Sequence, residues 1–179
     1  MRRTFLYGLM TALLVAGATT APRAQSRTQT LVAVLSGGSE APAVVNTGAH
    51  GKAVITIDPD SGEVTWVIDV FNYPTGLTAS HIHVGAAGTA GPVIIDFAPT
   101  NLGVSGPFRL SGSTRSFIAR PAQGIRSMEE AMIAIAAGNT YVNVHSQANP
   151  GGEIRGQLCP AKSGDNAFNG IATCTPIPQ

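Results

Sequence analysis

The run Lys52-Ala53-Val54-Ile55-Thr56-Ile57, the cluster Asp58-Pro59-Asp60-Ser61-Gly62 and the run Glu63-Val64-Thr65-Trp66-Val67-Ile68-Asp69-Val70 decide the fold class. Both runs alternate with period 2, which is the signature of a strand with one buried face. Val64, Trp66, Ile68 and Val70 share one face, opposite Thr65, Val67 and Asp69. The five residues between the runs are turn formers, each able to hydrogen-bond its own backbone or to supply a special backbone angle.

Working outward, the same pattern recurs in short pieces. Apolar or alternating runs occupy Leu31 to Leu35, Ala79 to Val84, Val93 to Phe97, Pro107 to Leu110, Ser116 to Ala119, Thr140 to His145 and Glu153 to Cys159. With the central pair they predict eight or nine strands separated by Gly/Pro turns, hence an all-β antiparallel sandwich or barrel. One segment departs from period 2. Ser127 stands as an N-cap with Glu130 three residues on, Met128 to Ala137 is rich in helix formers, and Gly138 supplies a stop. This predicts one short crossover helix.

Composition narrows the function classes. The chain has 179 residues, 12% of them charged, with 21 Gly and 12 Pro. That length suits one domain, and so few charges with so many turn formers argue against a helical bundle. A formal net charge of +1 leaves no electrostatic footprint for nucleic acid. Arg2 and Arg3 precede an apolar run from Phe5 to Ala18, followed by small residues up to Ala24. At about 14 residues the run is too short to span a bilayer core of about 30 Å, so residues 1–24 read as a signal peptide cleaved after Ala18 or Ala24. The arginine pair leaves the twin-arginine route open beside the general one. Removing those residues leaves 8 basic and 10 acidic side chains, a net charge of −2. The expected product is periplasmic or secreted, with no membrane segment after cleavage. Residues 28–160 would form the β domain and residues 161–179 an extended tail. Cys159 and Cys174, an even pair in an exported chain, are expected to form a disulfide.

The histidines are the candidate chemistry. In His81-Ile82-His83 both imidazoles point to one strand face. Their spacing along the strand, about 6.5 to 7 Å, lets both reach one ion. Asn143-Val144-His145 repeats the design on another strand, with Asn143 placed to hydrogen-bond a ligand or its bound water. Three neutral imidazoles with an open fourth position suit copper, with zinc as second choice. Because imidazole must be neutral to bind, affinity is expected to fall below about pH 6.5. His50 is isolated and expected at the surface. The glycine-rich stretch Gly85 to Pro92 has no helix after it, so it is not a phosphate cradle but a turned loop beside the site. No serine sits in a G-x-S-x-G setting, and paired carboxylates are too sparse for a glycosidase. Glu153 and Arg155 share a strand face and are expected to have a structural role, as an ion pair with each other.

Several words of the chain, in order, resemble the CHRD domain, named after chordin. They are Leu35-Ser36-Gly37-Gly38-Ser39-Glu40-Ala41-Pro42, Ser80-His81-Ile82-His83-Val84-Gly85 with Gly91-Pro92-Val93, Gly138 to Ser146, and Asn149 to Leu158. The resemblance spans roughly Thr30 to Cys159 and implies an immunoglobulin-like β-barrel or sandwich in an exported bacterial single-domain protein. A weaker likeness, to copper–zinc superoxide dismutase, rests on His81/His83 and on Gly151 to Arg155. That enzyme needs a second metal cluster with further histidines, and this chain has four in all. Two classes follow: a non-catalytic binding module, with an extracytoplasmic protein partner of unstated kind, or a small redox metalloenzyme using the same histidines. The scarcity of acids and bases beside the motifs favours the module, with no catalytic residue to name.

Overall fold

The computed structural model describes residues 28–161. Nine strands run β1 (Gln29–Ser36), β2 (His50–Asp58), β3 (Glu63–Tyr73), β4 (Leu77–Val84), β5 (Val93–Asp96), β6 (Gly106–Thr114), β7 (Thr140–Ser146), β8 (Ile154–Gln157) and β9 (Cys159–Pro160). The turn expected at Asp58 forms as its residues dictate. The Asp58 carboxylate accepts from the Asp60 N–H at 3.0 Å and from the Ser61 hydroxyl at 2.8 Å. This closes the β2–β3 hairpin in the register Ile57↔Val64, Ile55↔Trp66 and Ala53↔Ile68. The fold is all-β, as the alternation predicts.

The strands form one curled sheet in the order β5-β4-β7-β8-β1-β2-β3-β6, with β9 beside β1 and every pair antiparallel. Its concave side carries the core, in which Leu31, Ile55, Trp66, Ile68, Ile82, Val142, Val144 and Ile154 are buried together. Trp66 packs its indole on Phe97, ring centroids 4.7 Å apart. Opposite it in β6 stands Gly112, where a Cβ would lie 2.7 Å from the indole. Only a residue without a side chain fits there.

The helix, α1 (Met128–Ala136), starts as its cap requires, with the Ser127 hydroxyl accepting from the Glu130 N–H at 3.1 Å. The Glu130 carboxylate reaches back to the N–H of Arg126 rather than of Ser127. Ala131, Met132 and Ile135 face the core, spaced as one helical stripe.

Two expected strands change. Ser116 to Ala119 is irregular, holding to β5 through a single backbone bond from Ile118 to Ile94 at 2.8 Å. The run from Glu153 to Cys159 divides at Leu158, whose N–H turns to Thr140, so β8 and β9 are separate and Glu153 lies just outside β8. The signal segment, residues 1–24, and Cys174 lie outside the described residues. Among the described residues no helix is long and apolar enough to cross a membrane.

What positions the candidate site is β7. Every one of its residues is buried, on both faces. Val142 and Val144 point into the core, while Tyr141, Asn143 and His145 point to the convex side, where the segments around residues 40, 86 and 150 cover them.

Candidate metal centre

The antiparallel register of β4 and β7 sets Ala79 against His145, His81 against Asn143 and His83 against Tyr141. His145 therefore stands diagonally across from His81, a separation that long side chains can bridge. Ala79, being small, leaves room for the rings to lean together. His81 Nδ1 comes to 3.1 Å from His145 Nε2, and one nitrogen of each of His81, His83 and His145 lies within 4.8 Å of the others. The shared face within each motif and the register between the two strands together bring these three rings to one place. The fourth histidine, His50, is exposed and stacks on Phe71 at 5.6 Å, on β2 and β3, which β8 and β1 separate from the ligand strands.

Backbone carbonyls orient two of the rings. His83 Nδ1 lies 2.8 Å from the carbonyl of Gly91, and His145 Nδ1 lies 2.9 Å from that of Pro150. A carbonyl only accepts, so each Nδ1 carries the proton and each Nε2 is left with its lone pair. That of His83 is buried and meets no hydrogen-bond partner among the described residues. A buried lone pair without a donor is costly, and a cation is what it suits. Desolvation pushes His83 and His145 down to about 4, with neighbouring histidines adding to the effect. His81, the most exposed of the three, is also lowered by burial, with Asp96 opposing the shift.

Around the rings the convex face is unusually rich in buried polar groups. Tyr141 stacks on His83 with centroids 4.9 Å apart, and the Arg155 guanidinium lies 3.4 Å from the centroid of the tyrosine ring. The Tyr141 hydroxyl accepts from the Gly91 N–H at 3.0 Å and lies 3.3 Å from the Gly91 carbonyl. Gly91 is a close approach: a Cβ there would fall 1.7 Å from the Val84 carbonyl oxygen. The stretch Gly85 to Pro92 is thus a tightly tied turn, and Arg155 adds a bond to its Ala86 carbonyl at 3.0 Å. Asn143 donates to Glu40 at 3.4 Å, and its own Oδ1 is buried without a partner. Burial pushes the Glu40 carboxyl up to about 7, the Arg155 charge and the Asn143 bond opposing it.

The family model of the CHRD domain, matching residues 31–158, spans both the histidine strands and the covering segments. The chain belongs to the CHRD domain family. No curated protein matches it. Within this CHRD domain Glu153 and Arg155 do not form the pair expected of them. Glu153 lies off the strand, where its carboxylate accepts from Ser146 at 2.7 Å and from Asn149 at 2.5 Å. Burial alone would raise that carboxyl, but hydrogen bonds from Thr47, Asn149 and Ser146 outweigh it and hold it below the usual range. Arg155 turns instead to Tyr141 and Ala86. Sequence reasoning missed Tyr141 and Glu40 as neighbours of the site. Alternation along β7 places Tyr141 on the histidine face, whereas Glu40 arrives from a loop with no periodic signal.

Proposed function

We propose that this CHRD domain is a non-catalytic binding module, exported from the cell, that holds one copper ion, or zinc as second choice, on His81, His83 and His145. The observation that carries the reading is the pair of imidazoles whose Nδ1 atoms are committed to the carbonyls of Gly91 and Pro150. Their Nε2 atoms are thereby left unprotonated before any ion arrives, and that of His145 stands 3.1 Å from Nδ1 of the third ring, His81. Orienting a ligating imidazole through its other nitrogen is the usual way a protein strengthens a metal site. All three ligands are neutral nitrogen donors, which ranks copper(II) above the other common divalent ions. Asn143, on β7 directly across from His81, has a side-chain carbonyl oxygen without a partner among the described residues, suited to accept from a water on the open fourth position.

The test is titration of copper(II) and zinc(II) into metal-free protein at pH 7.5, with His83→Ala and His145→Ala beside the parent. Each variant is expected to bind at least about tenfold more weakly. Parent-like affinity in both would overturn the reading. Export and the Cys159–Cys174 disulfide are tested on protein recovered from the periplasm or medium. Intact mass should match a chain starting near Thr19 or Gln25, and reduction with alkylation should reveal two thiols absent before reduction.

A further inference from the structure

His81 differs from its two partners. His145 Nδ1 donates to Pro150, so its Nε2 can only accept, and the 3.1 Å contact with His81 Nδ1 is therefore a bond in which His81 donates. In a neutral His81 ring this leaves Nε2 bare. That nitrogen faces the Asp96 carboxylate at 3.8 Å, a separation too long for a hydrogen bond and fitting for two acceptors. Asp96 is held in place by the Ala98 N–H, which donates to its Oδ1 at 2.8 Å, and it lies directly across from His81 in the β4–β5 register. Among the described residues, the nitrogen of His81 that lies among the other rings is thus the protonated one, which cannot ligate.

We infer that ion binding moves the ring proton of His81 from Nδ1 to Nε2, and that Asp96 is the positioning residue that accepts it there as a hydrogen bond. The inference rests on the three-histidine reading above. The proton leaves one nitrogen of the ring and returns from solvent to the other, so the charge of His81 is unchanged. Nδ1 becomes a ligand, and the Nε2–H gains the acceptor that already faces it. The resulting set is mixed: His81 through Nδ1, His83 and His145 through Nε2. Asp96, on the exposed side of the site, then sets affinity without touching the ion.

The experiment is long-range proton–nitrogen NMR of the histidine rings in the full mature protein, metal-free and loaded with zinc, which is diamagnetic. Metal-free His81 is expected as the Nδ1–H form and zinc-loaded His81 as the Nε2–H form, while His83 and His145 remain Nδ1–H in both. Asp96→Ala should lower zinc affinity by about 10- to 100-fold, the usual effect of losing a partner that orients a ligand. Asp96→Asn, whose amide oxygen accepts from the same two donors, should recover most of it. The inference is overturned if His81 is Nε2–H without metal, or if Asp96→Ala binds zinc within twofold of the parent while His83→Ala and His145→Ala lose it. If zinc perturbs none of the three rings, the site reading falls with it.

Discussion

The two faces of β4, β7 and β8 are both buried and are built on opposite principles. On the concave face Ile82, Val142, Val144 and Ile154 are fully enclosed, and packing alone holds them. On the convex face His83, Tyr141, Asn143, His145 and Arg155 are nearly as enclosed, yet His83 Nε2 and Asn143 Oδ1 have no hydrogen-bond partner among the described residues, nor does Glu40 Oε1 above them. Dry packing needs no partner, whereas each unmade polar bond costs about 1–3 kcal/mol. Thr140 Oγ1, on the face of Val142 and Val144, and the Tyr73 hydroxyl in the core lack partners too, but three such atoms gather in the layer of the imidazoles, where a ligand can relieve them.

Substitutions should separate the two layers. Trp66→Ala, on the concave face, should destabilise by about 3–5 kcal/mol in denaturant melts and leave ion affinity intact. A change under about 1 kcal/mol would place Trp66 outside the core. Glu40→Gln should act with pH. Neutral Glu40 suits its buried position, so the stability it contributes is present below the unfolded value of 4.5 and is lost as pH rises through the folded value of about 7. Glutamine does not titrate, so from pH 4 to pH 8 the variant should gain on the parent by up to about 3 kcal/mol. Parallel stability curves would show that Glu40 is solvated.

Ion affinity should resist acid. Three ordinary imidazoles would lose roughly 30,000-fold between pH 7.5 and pH 5, each acquiring a proton near pH 6.5. With His83 and His145 held down to about 4 and His81 lowered too, the loss should stay under about a hundredfold over that range, as titrations at the two pH values will read. This corrects the expectation of a fall beginning near pH 6.5, because sequence says nothing of desolvation. The smallest effect is expected of His83→Phe. It keeps the stack on Tyr141, gives up the bond to Gly91 and removes the orphaned nitrogen, so stability should change by no more than about 1 kcal/mol while ion binding is lost. A large loss of stability would mean that the ring's nitrogens hold the fold as well as the site.

Much of the architecture can be read from short-range pattern. Period 2 around the Asp58 turn places β2, β3 and the inward face of Trp66, and Ser127 with Glu130 places α1. Ser116 to Ala119 misleads because alternation shows that a segment could pair, not that a neighbour is there to pair with it. The shared face of His81 and His83, and of Asn143 and His145, also follows from alternation. Their meeting does not, since register is set by contacts between residues about sixty positions apart. Nor do the ring orientations, because Gly91 and Pro150 act through carbonyl groups that every residue possesses. Glu40 reaches Asn143 across 103 positions from a loop, and no local rule points to it.

Gly91 serves the site in three ways. Its carbonyl fixes the proton on His83, its N–H holds Tyr141, and its lack of a side chain permits the approach to Val84. The chemistry of a ligand is thereby written into the path of a loop rather than into a side chain. Two CHRD domains with the same three histidines will differ in affinity wherever the loop from Gly85 to Pro92 differs in length or turn. A search that counts histidines alone will rank them as equals.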